Sequence, residues 1–515
     1  MLTWDELIKE IYKGEKIDTE CKLAGKAIPQ SVYETYCSFA NSKGGNIVLG
    51  VEEDKNETNP ETRFKIRGIA EPEKIREDFW NTINGQKVNA NILVDDDVYT
   101  VENGDIVLLV IHVPRADYTM RPVYKGENPF KGTYKRNHEG DYHAKEYEVR
   151  AMIRDQSSEG NDSTILEGFT MDDIDTDSLR RYRVMFNTSH PDHVWRELPD
   201  QEFLEMLGGY RRDRRNKLEG LTVAGLMMFG TGLAIRDEFD NIFMDYRDET
   251  GASVTQRWID RVTYDGTWEN NLFNFFMKVA PKLTEDLKKP FVLENMQRVD
   301  DTPVHEAIRE AFVNLIIHSD YRMDAGVLKI IKTADGFTFT NPGSLKLPKE
   351  QIYSGGNSKA RNPHMQTMLR MIGFGDNAGS GFPKILKIWA DNGWVQPELD
   401  EDTVMNQVTL TLLLSVGQTE AKVEESEEKV EEKSEESEEK VEELSELNPV
   451  ILNSFSDRQK EILGLMEKGR EYSRQEIADA LGIKKSRTAQ ILNELISLDL
   501  IYATAATKNR RYVKK

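Results

Sequence analysis

The feature that most constrains the fold of this chain is an acidic tract, GQTEAKVEESEEKVEEKSEESEEKVEELSELNP, at residues 417–449. Between Glu420 and Glu446 the tract holds fourteen Glu and four Lys, and it contains no aromatic residue. Such a segment cannot bury enough apolar surface to offset the entropy that it would lose on ordering. The tract therefore predicts a charged linker over residues 416–452, partly helical at most, in front of a small C-terminal domain.

Composition narrows the class of protein. A length of 515 residues predicts three or four domains. The net charge of −22 excludes a uniformly basic protein that coats nucleic acid. The two cysteines, Cys21 and Cys37, are too few for a disulfide framework. The sequence shows no secretory signal and no run of about 18 apolar residues, so we expect a cytoplasmic protein without membrane contact.

Patterning along the chain predicts a multidomain α+β protein. Residues 1–156 read as an N-terminal α/β domain, and the Ser/Gly/Asp-rich loop after it opens a helical connector at 157–220. Residues 221–415 alternate strands such as VLKIIKT with helices such as VHEAIREAFVNLIIH, which indicates an α/β sandwich. Residues 453–515 predict three helices and a terminal strand pair.

The C-terminal domain has the order of elements of a winged helix-turn-helix. Ser456 and Ser473 are placed as helix N-caps, and Gly482 ends the second helix. Thirteen Lys and Arg against eight Asp and Glu make residues 453–515 a basic island in an acidic chain. The domain resembles the winged helices of the MarR and DeoR regulators, and the alternative is a winged helix that binds protein. We expect DNA contacts from Lys484, Lys485, Arg487, Thr488, Gln490, Lys508, Arg510 and Arg511.

The N-terminal region carries several motifs in order. Glu20 and Lys22 form an E-x-K, FANSKGG follows a helix at 39–45, and an apolar strand ends in Gly50-Val51. The motifs RPVYKGEN and GTYKRNHEGDYHA come later. Residues 1–155 thus resemble the Schlafen-type AlbA-like domain, which implies nucleic-acid binding. Basic residues interleaved with aromatic ones on one hairpin suit single-stranded or distorted nucleic acid. The predicted contacts are Lys22, Lys135 and Arg136.

The same resemblance raises a second activity, because some Schlafen proteins are endonucleases with clustered carboxylates. Glu15 precedes Glu20 by five residues, and the run Glu52-Glu53-Asp54 follows the Gly50-Val51 strand. Carboxylates brought together can hold Mg²⁺ or Mn²⁺ for phosphodiester hydrolysis. Glu15 and Glu20 are therefore candidate catalytic residues, and Glu20 and Asp54 are candidate metal ligands. The alternative is that these acids are solvated and only structural.

In the middle region, Glu310, Asn314 and His318 are spaced i, i+4 and i+8 and so share one face of a helix. A glycine-rich run ahead of a second helix offers backbone N–H groups for phosphates. With LTVAGLMMFG, NPG and RNP in order, residues 221–415 resemble the divergent GHKL-like ATPase domain. That resemblance implies that Asn314 coordinates Mg²⁺ and that Glu310 activates water. The implied nucleotide contacts are Asn314, Asn341, Gly343, Gly373, Gly375, Gly379 and Gly381.

One departure from the GHKL pattern weakens the nucleotide assignment. Asn341 stands where the family has the Asp that accepts from the adenine amino group, and Leu345 replaces a later glycine. An Asn accepts through its amide oxygen but carries no charge. The structural alternative is that the helix packs its Ile308, Phe312 and Ile316 face and binds nothing. ATP binding with Mg²⁺ is expected, and hydrolysis is left open.

Taken together, the sequence predicts a nucleic-acid-binding regulator of transcription that responds to nucleotide. Its expected partners are DNA or RNA, a nucleotide and further copies of the chain. The family resemblance also allows a role in defence against mobile elements. The alternatives are a metal-dependent nuclease gated by ATP and an interaction scaffold without an active nucleotide site.

Overall fold

The structure is a computed structural model with two compact units, residues 1–419 and 420–515. It describes residues 2–415 apart from 14–17, 26, 55, 58, 138–139, 240–241, 253–255, 288–291, 295–296, 300–301, 324–325, 357–358 and 376–380. In the second unit it describes 462, 465–466, 470–474, 476–477, 488, 492, 501–503 and 511–514. The predicted linker lies outside the described residues.

The N-terminal region is an α/β layer structure. Its helices are α1 (Trp4–Tyr12), α2 (Ser31–Asn41), α3 (Pro60–Arg63), α4 (Pro72–Ile83), α5 (Pro129–Gly132) and α6 (Glu146–Asp155). Its strands are β1 (Thr19–Lys22), β2 (Gly45–Leu49), β3 (Val51–Glu53), β4 (Phe64–Ile66), β5 (Val98–Asn103), β6 (Ile106–Val113), β7 (Tyr134–Asn137) and β8 (Gly140–His143). Four strands form a sheet in the order β1-β2-β6-β5, in which β1 and β2 are parallel.

Alternating apolar residues let this sheet bury both of its faces. On β2, Ile47 and Leu49 pack into a core with α2 and α4, whereas Val48 packs into a second core with α1. The turn between α2 and β2 needs glycine, because Gly44 has a φ of +80° and a Cβ there would meet the Val113 carbonyl at 2.8 Å. The sheet is therefore covered by helices on both sides.

The middle region is built around a larger sheet. Its helices are α7 (Thr176–Ser189), α8 (Asp200–Leu207), α9 (Val223–Phe229), α10 (Gly232–Glu238), α11 (Leu272–Thr284), α12 (Pro303–His318), α13 (Lys349–Ser354), α14 (Pro363–Met371) and α15 (Gly381–Asp391). Its strands are β9 (Tyr210–Asp213), β10 (Leu218–Leu221), β11 (Phe243–Asp248), β12 (Asp260–Thr263), β13 (Val292–Glu294), β14 (Gln297–Val299), β15 (Val327–Thr333), β16 (Gly336–Pro342), β17 (Glu398–Asp402) and β18 (Gln407–Leu413). Short 3-10 turns occupy Asp95–Asp97, Asn161–Ser163, Met171–Asp173 and Val194–Glu197.

Six of these strands form one sheet in the order β12-β11-β15-β16-β18-β17, with β11 and β15 parallel. One face is apolar at every second residue, as Leu328 and Ile330 show, and helices cover it. Helix α12 begins at a capping box made by Thr302 and continues through Pro303 at its first position. The alternation of strands and helices predicted for this region is confirmed.

The segment predicted as a helical connector shares its core with the larger sheet. Leu179 and Tyr182 of α7 belong to the same buried cluster as Leu328 and Ile330 of β15. The Tyr182 hydroxyl donates to the Met368 carbonyl at 2.7 Å. The segment is therefore an integral layer of this unit, although its predicted boundaries stay a prediction.

The second unit is described in parts. Strands β19 (Glu471–Ser473), β20 (Ile501–Ala503) and β21 (Arg511–Lys514) form an antiparallel sheet in the order β19-β21-β20. The predicted N-cap at Ser473 is confirmed, because its hydroxyl accepts from the Glu476 N–H at 3.2 Å. Ile477, Leu492 and Tyr512 contribute to a small buried core. The complete winged helix stays a prediction.

Candidate functional site

A cavity of about 120 Å³ lies between helix α12 and the apolar face of the six-stranded sheet. Glu310, Asn314 and His318 line it from α12, Asn341 lines it from β16, and Gly381 lines it at the start of α15. The fold therefore brings together residues that are up to 71 positions apart in the sequence. The prediction that Glu310, Asn314 and His318 share one helix face is confirmed.

Helix α12 packs one face into the core, as the structural alternative expected, and turns another face to the cavity. Ile308, Phe312 and Ile316 are fully buried, and the Phe312 ring stacks on Phe276 of α11 with centroids 4.8 Å apart. The opposite face turns Asn314 into the cavity. The Asn314 side chain makes no hydrogen bond with any residue that the structure describes. Packing therefore holds the helix in place while the Asn314 amide stays available to a ligand.

The glycines of the predicted phosphate loop have different roles. A Cβ on Gly381 would overlap the Glu310 carboxylate, so this position needs glycine for α15 to begin against α12. Gly375 lies beside Val313 and has a φ of +90°. Gly373 has open space around it and ends α14, since its N–H donates to the Arg370 carbonyl at 3.0 Å. Gly379 lies outside the described residues.

The wall opposite α12 is mainly apolar. Phe339 and Leu410 project from neighbouring strands, and Leu345 and Leu347 come from the loop after β16. Asn341 is the polar residue that β16 adds to this wall, and its Nδ2 donates to the Pro342 carbonyl at 3.3 Å. Gly343 does not line this cavity but a second one. A Cβ on Gly343 would meet the Arg361 guanidinium at 2.7 Å, and its nucleotide contact stays a prediction.

Basic side chains at the cavity were missed by the sequence analysis. Lys346, Lys359 and Arg361 line it, and Arg361 belongs to the RNP motif, which was noted without a role. Burial, together with the charges of Arg361 and Lys346, lowers the pKa of His318 to about 4. Burial also lowers the pKa of Lys346 to about 8. At neutral pH the cavity thus has a neutral imidazole beside cationic side chains, a setting that favours an anionic ligand.

Arg361 also joins the cavity to the N-terminal region. Its guanidinium is buried, and it binds both oxygens of Asp155 at 2.8 Å while donating to the carbonyls of His318 and Ser344. Asp155 ends helix α6. Burial alone would raise the pKa of Asp155, but the attraction of Arg361 outweighs it, so this pKa lies below its usual value. The pair is a direct link from the cavity wall to α6.

Further buried contacts join the same two regions around a second, small cavity of about 30 Å³. Arg115 pairs with Glu401 of β17 and donates to the Leu345 carbonyl at 2.7 Å. Arg154 pairs with Asp320 at 3.0 Å. Because Leu345 lines the first cavity, a shift of this loop must change contacts on the N-terminal side.

The prediction that the basic residues of the β7–β8 hairpin contact nucleic acid is wrong for Lys135 and Arg136, because both side chains are buried. Lys135 is buried, and its Nζ donates to Glu148 at 2.6 Å and to the Asn406 side chain at 2.9 Å. Arg136 is 1% exposed and pairs with Glu20 at 2.8 Å and with Asp141 at 3.1 Å. Both cations neutralise internal acids, so neither side chain faces outward to contact nucleic acid.

The acids predicted to form a metal site are paired with basic side chains where the structure describes them. Glu20 is buried between Arg136 and Lys22, which occupies Lys22 as well. Asp54 pairs with Lys65 at 2.9 Å, and Glu15 lies outside the described residues. Among the described residues, the acids whose oxygens converge are Asp248, Glu285 and Asp286, and Lys332 already binds Asp286 at 2.7 Å. Neither set leaves a purely acidic ligand cluster.

Two of the predicted DNA contacts in the second unit are described. Thr488 is fully buried, so its side chain belongs to the interior and does not face a base edge. Arg511 is half-exposed on β21 and pairs with Glu476 at 3.3 Å. Lys484, Lys485, Arg487, Gln490, Lys508 and Arg510 lie outside the described residues.

Two parts of the chain match known domain families. Residues 13–145 match a family model described as "Schlafen, AlbA_2". The resemblance to the Schlafen AlbA-like domain is confirmed. Residues 328–412 match a HATPase family model described as "Putative ATP-dependent DNA helicase recG C-terminal". This second match covers β15 to β18, which carry Asn341 and the apolar wall of the cavity, and it bears out the ATPase-like resemblance of the middle region.

A third match and two solved structures complete the comparisons. Residues 150–245, which follow the AlbA-like domain, match a domain family of unknown function. The DIP2311 protein from Corynebacterium diphtheriae aligns over 99% of this chain and 96% of its own at 18% identity, with a TM-score of 0.37. The N-terminal domain of a RecG-related protein from Nitrosomonas europaea aligns over 28% of this chain and 94% of its own at 26% identity, with a TM-score of 0.23. No curated protein matches the chain. None of the described helices is long and apolar enough to cross a membrane.

Proposed function

We propose that this protein is a nucleotide-responsive regulator that binds nucleic acid. The family descriptions matched by residues 13–145 and 328–412 associate the chain with nucleic acids and with ATP. The observation that carries the proposal is the cavity in which Asn314 and Glu310 of α12 face Gly381. Transcription control is the regulatory role that a DNA-binding C-terminal unit would serve, and self-association is the expected means of switching.

The residues of the cavity fit a nucleoside triphosphate with a divalent cation. The amide oxygen of Asn314 and the carboxylate of Glu310 are oxygen ligands of the kind that Mg²⁺ prefers. Lys359 and Arg361 offer positive charge for phosphates, and the apolar wall around Phe339 suits a base. Bound Mg²⁺ would supply charge neutralisation on the phosphates. Glu310, which lines the same cavity, would orient a water molecule if the nucleotide is hydrolysed.

A route for the response runs through Arg361. A ligand that attracts the Arg361 guanidinium competes with Asp155 of α6, because one guanidinium serves both the cavity wall and the domain contact. The loop that carries Leu345 is tied in the same way to Arg115 and Glu401. Nucleotide binding would therefore alter the contact between the ATPase-like and AlbA-like domains. Through this contact, the nucleotide cavity and the nucleic-acid-binding surface would influence each other.

The test is nucleotide binding by the full chain and by Asn314→Ala. We expect a fluorescent ATP analogue with Mg²⁺ to bind the wild type, and we expect at least about a tenfold loss in the variant, which removes a metal ligand. Asn187→Ala is the matched control, since Asn187 is also half-buried on a helix but lies on α7 away from the cavity.

The same preparations then show whether the response exists. The affinity for labelled duplex DNA and RNA is measured with and without ATP and Mg²⁺, and the products are checked for cleavage. A nucleotide-dependent change that Asn314→Ala abolishes supports the proposal. Equal nucleotide affinity in wild type and Asn314→Ala would reject the site, and metal-dependent cleavage lost in Glu20→Gln would favour a nuclease instead.

A further inference from the structure

The hairpin of strands β9 and β10 carries a concentration of cations that the sequence analysis did not use. The run YRRDRRNK spans residues 210–217, in a chain whose net charge is −22. The hairpin pairs Tyr210 with Leu221 and Asp213 with Leu218, so its basic run surrounds the turn. All of its cations are exposed: Arg211, Arg212, Arg214, Arg215 and Lys217.

This hairpin forms one side of an open groove of about 850 Å³. The other side is the segment from Ser157 to Ile165, with Arg154 of α6 at one end. Five arginines line the groove against two acids, Glu159 and Asp213. The groove is therefore a local positive region on an acidic molecule, which concentrates field lines for an anionic partner.

The turn is held in a fixed shape by Asp213. The Asp213 carboxylate accepts from the N–H groups of Arg215 at 2.8 Å and Asn216 at 3.2 Å, and from the Asn216 side chain at 2.8 Å. These hydrogen bonds keep the pKa of Asp213 below its usual value. The Asp213 carboxylate keeps its charge, but its oxygens bind the turn and form no ion pair with any arginine that the structure describes.

The arginines differ in how far acids already neutralise them. Arg211 pairs with Glu159 at 2.8 Å, and Arg212 pairs with Glu205 at 2.7 Å. Arg214 and Arg215, at the tip of the hairpin, form no ion pair with any residue in the described part of the chain. Two adjacent guanidinium groups in solvent at a rigid turn repel each other, and an external anion between them would relieve that repulsion.

We propose that this groove is a binding site for the phosphodiester backbone of nucleic acid, with Arg214 and Arg215 as its principal contacts. Planar guanidinium groups bind phosphate oxygens bidentately, and a two-stranded β-ribbon is narrow enough to lie along a groove of duplex DNA. This inference rests on the proposed function, and it supplies a contact surface in place of the buried Lys135 and Arg136. The contact is independent of base identity, since it uses phosphates alone.

The test compares salt-dependent binding by two double variants. Arg214→Ala/Arg215→Ala removes the two arginines at the hairpin tip, and Arg67→Ala/Arg180→Ala removes two other exposed arginines with the same change in net charge. Binding is measured by the fluorescence anisotropy of a labelled duplex of arbitrary sequence, about 20 base pairs long, at salt concentrations from about 50 to 200 mM. All proteins are full-length and also carry Lys484→Ala, Lys485→Ala and Arg487→Ala, so that contacts predicted for the second unit do not mask the result.

We expect the hairpin variant to lose about tenfold in affinity and the slope of log K against log salt to flatten by about 2, one for each phosphate contact. The control variant should keep the slope of its parent. Binding by the parent with an unchanged slope in the hairpin variant would overturn this inference and leave the proposed function standing. A parent and wild type that bind no nucleic acid would overturn both. Equal losses of affinity in the two variants would mean that only the net charge of the protein matters. That result would also overturn the site.

A second measurement locates the contact without removing charge. Leu218→Cys places a thiol in the groove for a benzophenone label, while the natural Cys21 and Cys37 are buried and so protected. Val184→Cys on α7 gives a control that is also exposed. Light-induced crosslinking to DNA or RNA from position 218 and not from position 184 is expected. Equal crosslinking from both positions would contradict the site.

Discussion

At the residue scale, Asp155 and Asp162 are both buried, yet their pKa values shift in opposite directions. Asp155 has Arg361 as a bidentate partner, and its pKa stays low. Asp162 is equally buried but has only hydrogen bonds from backbone N–H groups such as that of Met365 at 2.9 Å. Burial therefore raises the pKa of Asp162 to about 7.

This difference predicts a pH dependence that Asp162→Asn should remove. Because the folded chain holds the Asp162 proton more tightly than the unfolded chain, its contribution to stability is complete below about pH 4. That contribution is lost as pH rises through about 7, at up to about 1.4 kcal/mol per pH unit. The Asn variant keeps an acceptor for the Met365 N–H but has no proton to lose.

We therefore expect Asp162→Asn to gain about 2 to 4 kcal/mol relative to wild type between pH 5 and pH 8. Denaturant unfolding followed by tryptophan fluorescence at the two pH values measures this difference. His318, whose low pKa gives stability that is lost as pH falls from about 6.5 to about 4, contributes equally to both proteins and cancels. A stability difference that is the same at both pH values would contradict the assignment to Asp162.

At the scale of elements, the cavity depends on how closely α15 begins against α12. Gly381 allows this approach, since any side chain there would displace the Glu310 carboxylate. The start of α15 contacts the polar face of α12. A change at this contact should therefore alter the cavity and leave the apolar core largely unchanged. Buried residues such as Ile385 and Trp389 hold α15 against the rest of the unit.

We expect Gly381→Ala to lower the affinity for the Mg²⁺–nucleotide by at least about tenfold while the chain stays folded, because the new methyl group pushes Glu310 out of place. Equilibrium binding of the fluorescent analogue and the thermal unfolding midpoint together test this. Gly25→Ala, at a glycine with open space around it, is the control. Unchanged nucleotide affinity in Gly381→Ala would show that Glu310 does not need its observed position.

At the scale of the whole molecule, the chain separates its charges. The first unit ends at Thr419, and the next residue, Glu420, is the first acid of the tract at 417–449. Basic residues outnumber acidic ones in residues 453–515 and in the run 210–217 of the β9–β10 hairpin. A net charge of −22 keeps such a molecule in solution and disfavours non-specific contact with nucleic acid outside those regions.

The predicted linker should be the first place where a protease acts. Brief digestion of the full chain with a Glu-specific protease is expected to cut between Glu420 and Glu446 before any other site, because cleavage requires an extended, accessible backbone. Mass spectrometry should then find a product that ends near residue 420 and resists further digestion. Earlier cuts at acids within residues 1–415 would contradict the linker.

The sequence by itself determined the elements whose signal is local. Alternating apolar residues specified strands such as β15 and β16, i, i+4 spacing placed Glu310 and Asn314 on one face of α12, and Gly44 marked the α2–β2 turn. These features need only near neighbours along the chain, and motifs in order were enough to identify the AlbA-like and ATPase-like domains.

Only the tertiary structure decided which charged residues are available. Lys135, Arg136 and Glu20 read as surface groups in the sequence, yet acids and bases distant in the chain pair with them and bury them. Arg361 and Asp155, 206 positions apart, could be linked only once both domains had packed. Whether a charge meets solvent, a ligand or an internal partner depends on residues brought together from afar, because desolvation and Coulomb energy follow spatial distance and not sequence distance.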